Sequence, residues 1–307
     1  MAQVTAALVK ELREMTGAGM MDCKKALVEN NSDKNAAVDW LRQKGLSKAA
    51  KKSVRIAAEG LVAAVSEGSN GALVEVNSET DFVARNNQFQ QLVESIVKTA
   101  LSVDRVEVLN KTIIVGGEKS VTETVTDVVA TIGENVQVRR MSRLSVSNGI
   151  VACYVHGAVV PGAGKIGVLV ALESTGDTAR LEALGKQIAM HVAAARPESL
   201  SRDDLDPALV ERERAVQIEM AKESGKPQEI AEKMVVGRLR KFYEDVCLLE
   251  QTFVIDNETK IKDVIANTSK DLGVDVTLTA FSSFVLGDGV EKEESDFAAE
   301  VAATVGA

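Results

Sequence analysis

Apolar side chains recur at a spacing of three or four positions near the start of the chain, as on the buried face of a helix. They predict a compact helical domain of three helices over residues 1–55. The third helix is predicted to end at Gly45, since glycine commonly closes a helix. The basic stretch from Lys48 to Arg55 is then predicted to be a linker.

The middle of the chain changes to apolar runs rich in β-branched residues, which predict strands. Two β-hairpins are predicted, one over residues 60–76 and one over residues 149–172. Each hairpin is followed by a helical pattern, and the second of these helices is predicted from Thr178 to Ala195. The repeated order of hairpin and helix predicts a duplicated antiparallel-sheet core, with halves 56–148 and 149–286.

A polar, charge-rich helical pair is predicted inside the second half. Asp206-Pro207 opens a helix, because proline suits the first helical turn, and a short turn returns the chain in a second helix. Helices joined by so short a turn lie antiparallel, which predicts a projecting coiled-coil arm over about residues 207–246. A module over residues 287–307 is predicted to contain an acidic helix from Glu291 to Ala303. The fold class is therefore α+β.

One aromatic residue stands out on the connection after the first hairpin. Phe82 lies between Asp81 and Arg85, on a strand-to-helix connection, in a chain that is only 3% aromatic. Two interpretations follow from the local pattern: Phe82 packs back onto the sheet, or it is presented as an anchor for a partner. The pattern by itself leaves both open.

The second hairpin offers a comparison for this aromatic residue. When the two hairpins are aligned on Leu73 and Leu169, Asp81 falls opposite Asp177, but Phe82 falls opposite Thr178. The repeated unit thus lacks a second phenylalanine, which favours a specific role for Phe82.

Composition limits the kinds of function. The net charge is −9, yet residues 1–60 hold eleven lysine and arginine residues against seven acidic ones. An acidic body argues against direct nucleic-acid binding, and a basic N-terminal domain suits an acidic protein surface. Three scattered cysteines fit a reducing cytoplasm. No apolar run reaches membrane-span length and no signal-peptide pattern opens the chain, so neither a leader nor a membrane interaction is expected.

Candidate catalytic chemistry is sparse. The glycines of Gly162-Ala163-Gly164-Lys165-Ile166-Gly167 match a dinucleotide fingerprint, but a strand follows them where the fingerprint needs a helix. Cys153 and His156 have no second pair to complete a zinc site, and His191 lies on an apolar helix. We expect no catalytic residue, cofactor or metal, and hence no enzyme.

Several segments carry a resemblance to a known family. They begin with Thr16-Gly17-Ala18-Gly19-Met20-Met21-Asp22-Cys23-Lys24-Lys25-Ala26-Leu27 and Thr80-Asp81-Phe82-Val83. Further matches include Ile132-Gly133-Glu134-Asn135, Ile188-Ala189-Met190-His191-Val192-Ala193-Ala194 and Ile230-Ala231-Glu232-Lys233-Met234-Val235. These segments occur in family order over nearly the whole chain. The chain resembles bacterial translation elongation factor Ts.

The resemblance implies a guanine-nucleotide exchange factor for elongation factor Tu. It implies a ubiquitin-associated-like fold for residues 1–55, and assigns displacement of the partner's Mg²⁺ to Thr80, Asp81, Phe82 and Val83. Further implied partner contacts are Met20, Met21, Lys24, Lys25, His156, His191 and Met234. The helical arm is a candidate site for homodimerisation.

Two other classes of function compete with this expectation. One is a nucleotide-cofactor enzyme based on the loop glycines, which requires the chain to bind nucleotide without a partner. The other is an adaptor based on the ubiquitin-associated-like domain, which requires ubiquitin binding and no effect on a GTPase.

Overall fold

The computed structural model describes residues 4–223 and 227–291 and shows a mixed α+β fold, so the expected fold class is confirmed. The helices are α1 Ala6–Thr16, α2 Met20–Glu29, α3 Lys34–Lys52, α4 Asn87–Ala100, α5 Val106–Leu109, α6 Val121–Ile132, α7 Thr178–Ala195, α8 Pro207–Glu223, α9 Gln228–Val246 and α10 Ile261–Leu272. The strands are β1 Glu59–Glu67, β2 Asn70–Ser78, β3 Val136–Ser145, β4 Gly149–His156, β5 Ala163–Gly164, β6 Ile166–Glu173 and β7 Thr277–Val285. The predicted acidic helix from Glu291 to Ala303 lies outside the described residues.

Two antiparallel sheets form the centre of the molecule. Their strand orders are β3-β2-β1-β5 and β4-β6-β7, and both predicted hairpins are confirmed as β1–β2 and β4–β6. One face of each sheet contributes to a shared apolar cluster that contains Val62 and Leu73 from the first sheet and Val151 and Leu169 from the second. Alternate residues of the same strands point outward, since side chains alternate along a strand, and pack under helices.

Two glycines permit the close approach of the sheets. A Cβ atom added at Gly71 would lie 2.5 Å from Cγ1 of Val151, and one added at Gly167 would lie 2.5 Å from Cδ1 of Leu73. Real Cβ atoms do not tolerate such distances, so a larger residue at either position would force the sheets apart. The central cluster therefore depends on both glycines.

The third helix is longer than predicted. It continues through Gly45 to Lys52, so the prediction of a helix end at Gly45 and a basic linker from Lys48 was wrong. Gly45 is buried, and a Cβ atom there would lie 3.2 Å from the Cβ of Ala130 on α6. The glycine brings α3 close to α6 instead of closing the helix.

Two strands were missed from the sequence. Strand β3 carries Arg139, Arg140 and Arg143, and its alternation of polar and apolar residues is weak. It is an edge strand, where the long arginine side chains reach partners beside the sheet. Strand β5 lies within the second hairpin, between β4 and β6, and pairs with the edge of β1, where Ala63 faces Ala163. Just before β5, the carbonyl of Gly162 accepts from Ala64 N–H at 2.9 Å.

The arm consists of α8 and α9, and the predicted bounds of about residues 207–246 agree with the start of α8 and the end of α9. Its described part has few buried side chains; those that the structure records are Ala221 and Leu239. The arm is instead fixed at its base, where the guanidinium of Arg202 lies 4.4 Å from the ring centre of Tyr243. The same arginine is hydrogen-bonded to Glu250.

A buried carboxylate connects the first sheet to the end of the second. Glu75 is fully buried on β2, where its carboxylate accepts hydrogen bonds from Arg139 at 3.1 Å and Arg140 at 2.6 Å. It also accepts from the backbone N–H of Gly287 at 2.8 Å, just after β7. Burial alone would raise the pKa of Glu75, but the hydrogen bonds from Gly287, Asn77 and Arg140 outweigh it and hold the pKa below its ordinary value.

We predict that Glu75→Gln lowers the free energy of unfolding by about 3 kcal/mol, because it leaves two arginines without their buried counter-charge. Urea denaturation measures the change. Glu67→Gln, an exposed carboxylate on the neighbouring strand, is the control and should cost less than about 0.5 kcal/mol.

The wild type and Glu75→Gln can also be compared as a function of pH. A carboxyl whose pKa is lowered by folding stabilises the native state above its unfolded pKa of about 4.3, and loses this contribution as the pH falls through the native pKa. The stability difference between the wild type and Glu75→Gln should therefore narrow below about pH 4. A difference that stays constant down to pH 3 would contradict the ionised state of Glu75.

Candidate functional site

The strand-to-helix connection of the first half is twice as long as that of the second half. Residues 79–86 join β2 to α4, whereas residues 174–177 join β6 to α7. In the short connection, Asp177 caps α7 directly by accepting from the N–H of Arg180 at 2.9 Å. In the long one, Asn86 caps α4, and the extra residues form a protruding turn around Phe82.

Phe82 is presented to solvent. Its side chain is 77% exposed, whereas the next residue, Val83, is only 4% exposed and belongs to the apolar cluster of the first half. A 3₁₀ turn follows, in which Arg85 N–H donates to the carbonyl of Phe82 at 3.1 Å. Of the two interpretations of Phe82, packing onto the sheet is thus excluded, and Asp81 beside it is exposed as well.

Thr80 fixes the other side of the turn. Its backbone N–H donates to Glu134 at 2.9 Å, and its hydroxyl donates to the second oxygen of the same carboxylate at 2.7 Å. Ser78 donates in turn to the carbonyl of Thr80 at 2.9 Å. Phe82 therefore projects from a backbone that is held two residues before it and one residue after it.

A second set of contacts joins this turn to the N-terminal helices. Asn135 N–H donates to Glu79 at 2.5 Å, and the Asn135 side chain donates to the carbonyl of Arg55 at 2.7 Å. Lys52, the last residue of α3, donates to the carbonyl of Gly133. Residues 132–135 are one of the segments that carry the family resemblance, which gave them no role. The glycine at position 133 was the signal for this sharp turn, because α6 ends there in the left-handed conformation that glycine favours.

The expected contacts on the N-terminal helices lie at the surface of α2. Met20 is 59% exposed and Met21 is 73% exposed, and Lys24 and Lys25 are exposed beside them. The opposite face of α2 is buried through Cys23, Ala26 and Leu27. Two exposed methionines next to two lysines form a surface that suits an adaptable protein contact.

The other expected contact residues differ in exposure. His156 is exposed, with its Nδ1 atom 3.2 Å from the hydroxyl of Tyr154, and Met234 is partly buried on α9. His191 is fully buried, and both of its ring nitrogens are hydrogen-bonded. Its Nδ1 accepts from Val254 N–H at 3.2 Å, so its Nε2 carries the proton that Gln251 accepts at 2.9 Å. In this conformation His191 offers no atom to a partner's surface.

The loop glycines form no cofactor cradle. Gly162 lies in a turn and Gly164 in the short strand β5, and strand β6 follows them where a dinucleotide fingerprint needs a helix. Among the described residues, no three His, Cys, Asp or Glu side chains meet in a way that would hold a metal ion. None of the helices in the described ranges has the length and apolar character of a membrane span.

Comparison with known proteins identifies the family of the chain, and the matched residues include the turn around Phe82. The family model described as Elongation factor TS matches residues 79–288. The chain belongs to the elongation factor Ts family. Proteins named Elongation factor Ts from Rhodospirillum centenum and Parvibaculum lavamentivorans are 60% identical over 307 residues and 58% identical over 304 residues. Their alignments cover 100% of both chains and 99% of both chains, respectively.

A relative of lower identity is also matched over nearly its full length. Elongation factor Ts from Allorhizobium ampelinum is 54% identical over 304 residues, with 99% of each chain covered. The similarity includes both halves of the core and the arm, and is not confined to one motif. Membership of the elongation factor Ts family assigns the chain to translation elongation.

We predict that His191 titrates below the ordinary histidine pKa of about 6.5. Burial lowers the pKa of His191, and the opposing effect of its hydrogen bond with Gln251 is smaller. A histidine that is held neutral stabilises the native state fully above its unfolded pKa of about 6.5, and loses this contribution as the pH falls through the native pKa. NMR of the imidazole nitrogens measures the protonation and identifies the Nε2–H form.

The chain contains two histidines, so His156→Gln leaves His191 as the single imidazole signal. Half-protonation of His191 at or above pH 6.5 would contradict its burial in a neutral form.

Proposed function

We propose that this chain is a guanine-nucleotide exchange factor for elongation factor Tu. It binds the GDP form of that GTPase, speeds the loss of GDP, and leaves a nucleotide-free complex that GTP resolves. Membership of the elongation factor Ts family supports the proposal. The single observation that carries it is Phe82, which is 77% exposed on a turn whose neighbouring residues are anchored.

The mechanism is a coupling between two binding equilibria. Whatever the factor does to nucleotide affinity, nucleotide does to the affinity of the factor. In a P-loop GTPase the phosphates are held by backbone N–H groups, a lysine and Mg²⁺, so displacing these groups weakens the grip on GDP. We assign this displacement to Thr80, Asp81, Phe82 and Val83. Phe82 enters the partner as a wedge, and Asp81 pairs with the polar groups that move.

The remaining partner contacts divide by their exposure. Met20, Met21, Lys24 and Lys25 form a docking surface on α2, and His156 and Met234 supply further contacts from the second half and the arm. His191 acts indirectly, by holding the backbone of Val254 in place. Asp81 and the lysines provide the charges, which set the association rate and the orientation of the complex.

The domain organisation extends the proposal. We propose a ubiquitin-associated-like domain over residues 1–55, core halves over 56–148 and 149–286 that arose by duplication, and a C-terminal helical module over 287–307. A shared irregularity supports the duplication: the sheet register shifts between Glu75 and Val76 in the first sheet, and between Ala171 and Leu172 at the equivalent place in the second.

Paired glycines support the duplication as well. Gly60 and Gly149 open the two hairpins with positive φ angles of 118° and 130°. A Cβ atom at these glycines would meet the carbonyls of Val76 and Leu172 at 2.2 and 2.1 Å.

The protein would act in the cytoplasm, where translation elongation takes place, without direct contact to nucleic acid.

The release of a fluorescent GDP from elongation factor Tu, followed by stopped flow with and without this chain, tests the function. The proposal predicts a strong acceleration that rises with the concentration of the chain and saturates. A release rate that does not depend on the chain would overturn it. The chain should also fail to hydrolyse GTP beyond a mock preparation when it is alone.

We predict that Phe82→Ala slows GDP release by more than about tenfold while the chain stays folded. The loss of an anchor residue costs about 2 kcal/mol or more, and the side chain contributes little to the core because it is 77% exposed. Ile113→Ala removes another exposed apolar side chain, on a separate loop, and should leave the rate unchanged. Equal release by wild type and a folded Phe82→Ala variant would refute the wedge.

We predict that Lys24 and Lys25 act mainly on association. Exposed charges at the rim of an interface change the association rate and its salt dependence more than dissociation. The double alanine variant should associate more slowly at low salt and show a flatter salt dependence than the wild type. The exposed lysines Lys111 and Lys186, replaced together, are the charge-matched control. Identical salt slopes for all three proteins would count against the docking surface.

We predict that the arm carries any self-association and that much of the exchange activity survives without it, because the partner contact assigned to the arm is Met234 alone. Replacing residues 211–238 by a short Gly-Ser linker keeps the base contacts of Tyr243 and the ion pair of Glu244 with Lys260 at 2.9 Å. The melting temperature should change by no more than about 4 °C, because few side chains of the arm are buried. Light scattering and stopped flow measure the mass and the GDP release. An unfolded variant would make the arm part of the core. Complete loss of exchange would show that exchange requires the arm beyond the single contact of Met234.

A further inference from the structure

We propose that Glu134 and Glu79 are positioning residues for Phe82, through a reciprocal carboxylate clamp. The clamp consists of Glu79, Thr80, Glu134 and Asn135. This inference rests on the proposed function, because it explains how the turn that carries Phe82 is held ready for the partner.

The clamp is reciprocal because each turn supplies a carboxylate to the backbone of the other. Glu134 accepts from the backbone N–H and the hydroxyl of Thr80 at 2.9 and 2.7 Å. Glu79 accepts from the backbone N–H of Asn135 at 2.5 Å. Hydrogen bonds to an ionised acceptor are stronger than neutral ones, so the two turns are locked together.

Phe82 itself has little packing that would hold it, because it is 77% exposed. Its side chain is exposed, and its position follows from the backbone of Thr80 and from the burial of Val83. Burial of Val83 fixes one end of the turn. Without Glu134, the N–H and the hydroxyl of Thr80 at the other end of the turn would lose their acceptor. The turn would then sample several conformations before Phe82 could enter a pocket.

The clamp also joins Phe82 to the N-terminal helices. Asn135 donates to the carbonyl of Arg55 at 2.7 Å, and the guanidinium of Arg55 lies 3.4 Å from Glu79. Lys52 at the end of α3 donates to Gly133. The helical domain with the docking surface and the turn with the wedge thus share one anchor, residues 133–135. The docking surface and the wedge are therefore presented to a partner at a fixed separation.

Hydrogen exchange of the free protein tests the clamp without any partner. In Glu134→Ala, the amides of residues 79–86 should exchange at least about tenfold faster, because Thr80 N–H loses its acceptor. Glu134→Gln keeps one acceptor oxygen and should give an intermediate rate. Glu118→Ala, an exposed carboxylate in the same half, should leave the rate unchanged. Unchanged protection in both Glu134 variants would overturn the clamp.

Release of GDP from elongation factor Tu tests the positioning role. Glu134→Ala should lower the maximal release rate by between about tenfold and a hundredfold, while the half-saturating concentration changes by less than about twofold. A residue that acts only through Phe82 has no effect once Phe82 is gone. In the Phe82→Ala background, Glu134→Ala should therefore change the rate by less than about twofold.

The double variant separates positioning from a general structural role. An equal loss of rate with and without Phe82 would show that Glu134 acts on the fold or contacts the partner itself, and would overturn the proposal. If the wild-type chain does not accelerate GDP release from elongation factor Tu, the proposed exchange function is wrong. The hydrogen-exchange experiment still decides whether the clamp exists.

Discussion

Phe82 remains exposed in a fixed place because the backbone on both sides of it is held. Thr80 is bound to Glu134 before it, and Val83 is buried in the apolar cluster after it. An exposed aromatic side chain on a loose loop would collapse onto the nearest apolar surface. The proposed function depends on this constraint, since a wedge that reaches a partner must first be kept away from its own core.

The rest of the fold supports that turn from three directions. Strand β2 leads into it and is tied to β3 and to the end of β7 by the buried carboxylate of Glu75. Helix α3 reaches it from the N-terminal domain, because Gly45 brings the helix against α6. The glycines between the sheets allow the second half to support the first. The second half lacks a protruding turn, since Asp177 caps α7 at once.

Regular elements with a strong local pattern could be predicted, and elements that depend on distant contacts could not. Helix α7 from Thr178 to Ala195 was predicted with the observed bounds, because its apolar spacing and its cap are local. Gly45 misled the prediction, since its role is contact with Ala130, far away in sequence. Strand β3 was missed because its arginines bind partners that no local pattern reveals.

In the candidate site, the sequence identified the important residue but not its exposure or its supporting contacts. The comparison of the two hairpins pointed to Phe82, but its exposure required the structure, since phenylalanine is usually buried. The contacts of Glu134 with Thr80 join residues that are far apart in the sequence and became visible only in the fold. The apolar helix around His191 is typical of a satisfied core or interface histidine, but its partners Gln251 and Val254 are distant in the sequence and became visible only in the fold.

Coupling between the factor and the nucleotide is proposed to pass through Phe82, and an equilibrium measurement tests this most directly. The affinity of elongation factor Tu for GDP is measured with no factor, with saturating wild type and with saturating Phe82→Ala. If Phe82 is the wedge, saturating wild type raises the Kd of elongation factor Tu for GDP strongly. Saturating Phe82→Ala then raises the same Kd at least about tenfold less. An equal weakening of GDP affinity by both proteins would contradict this role of Phe82.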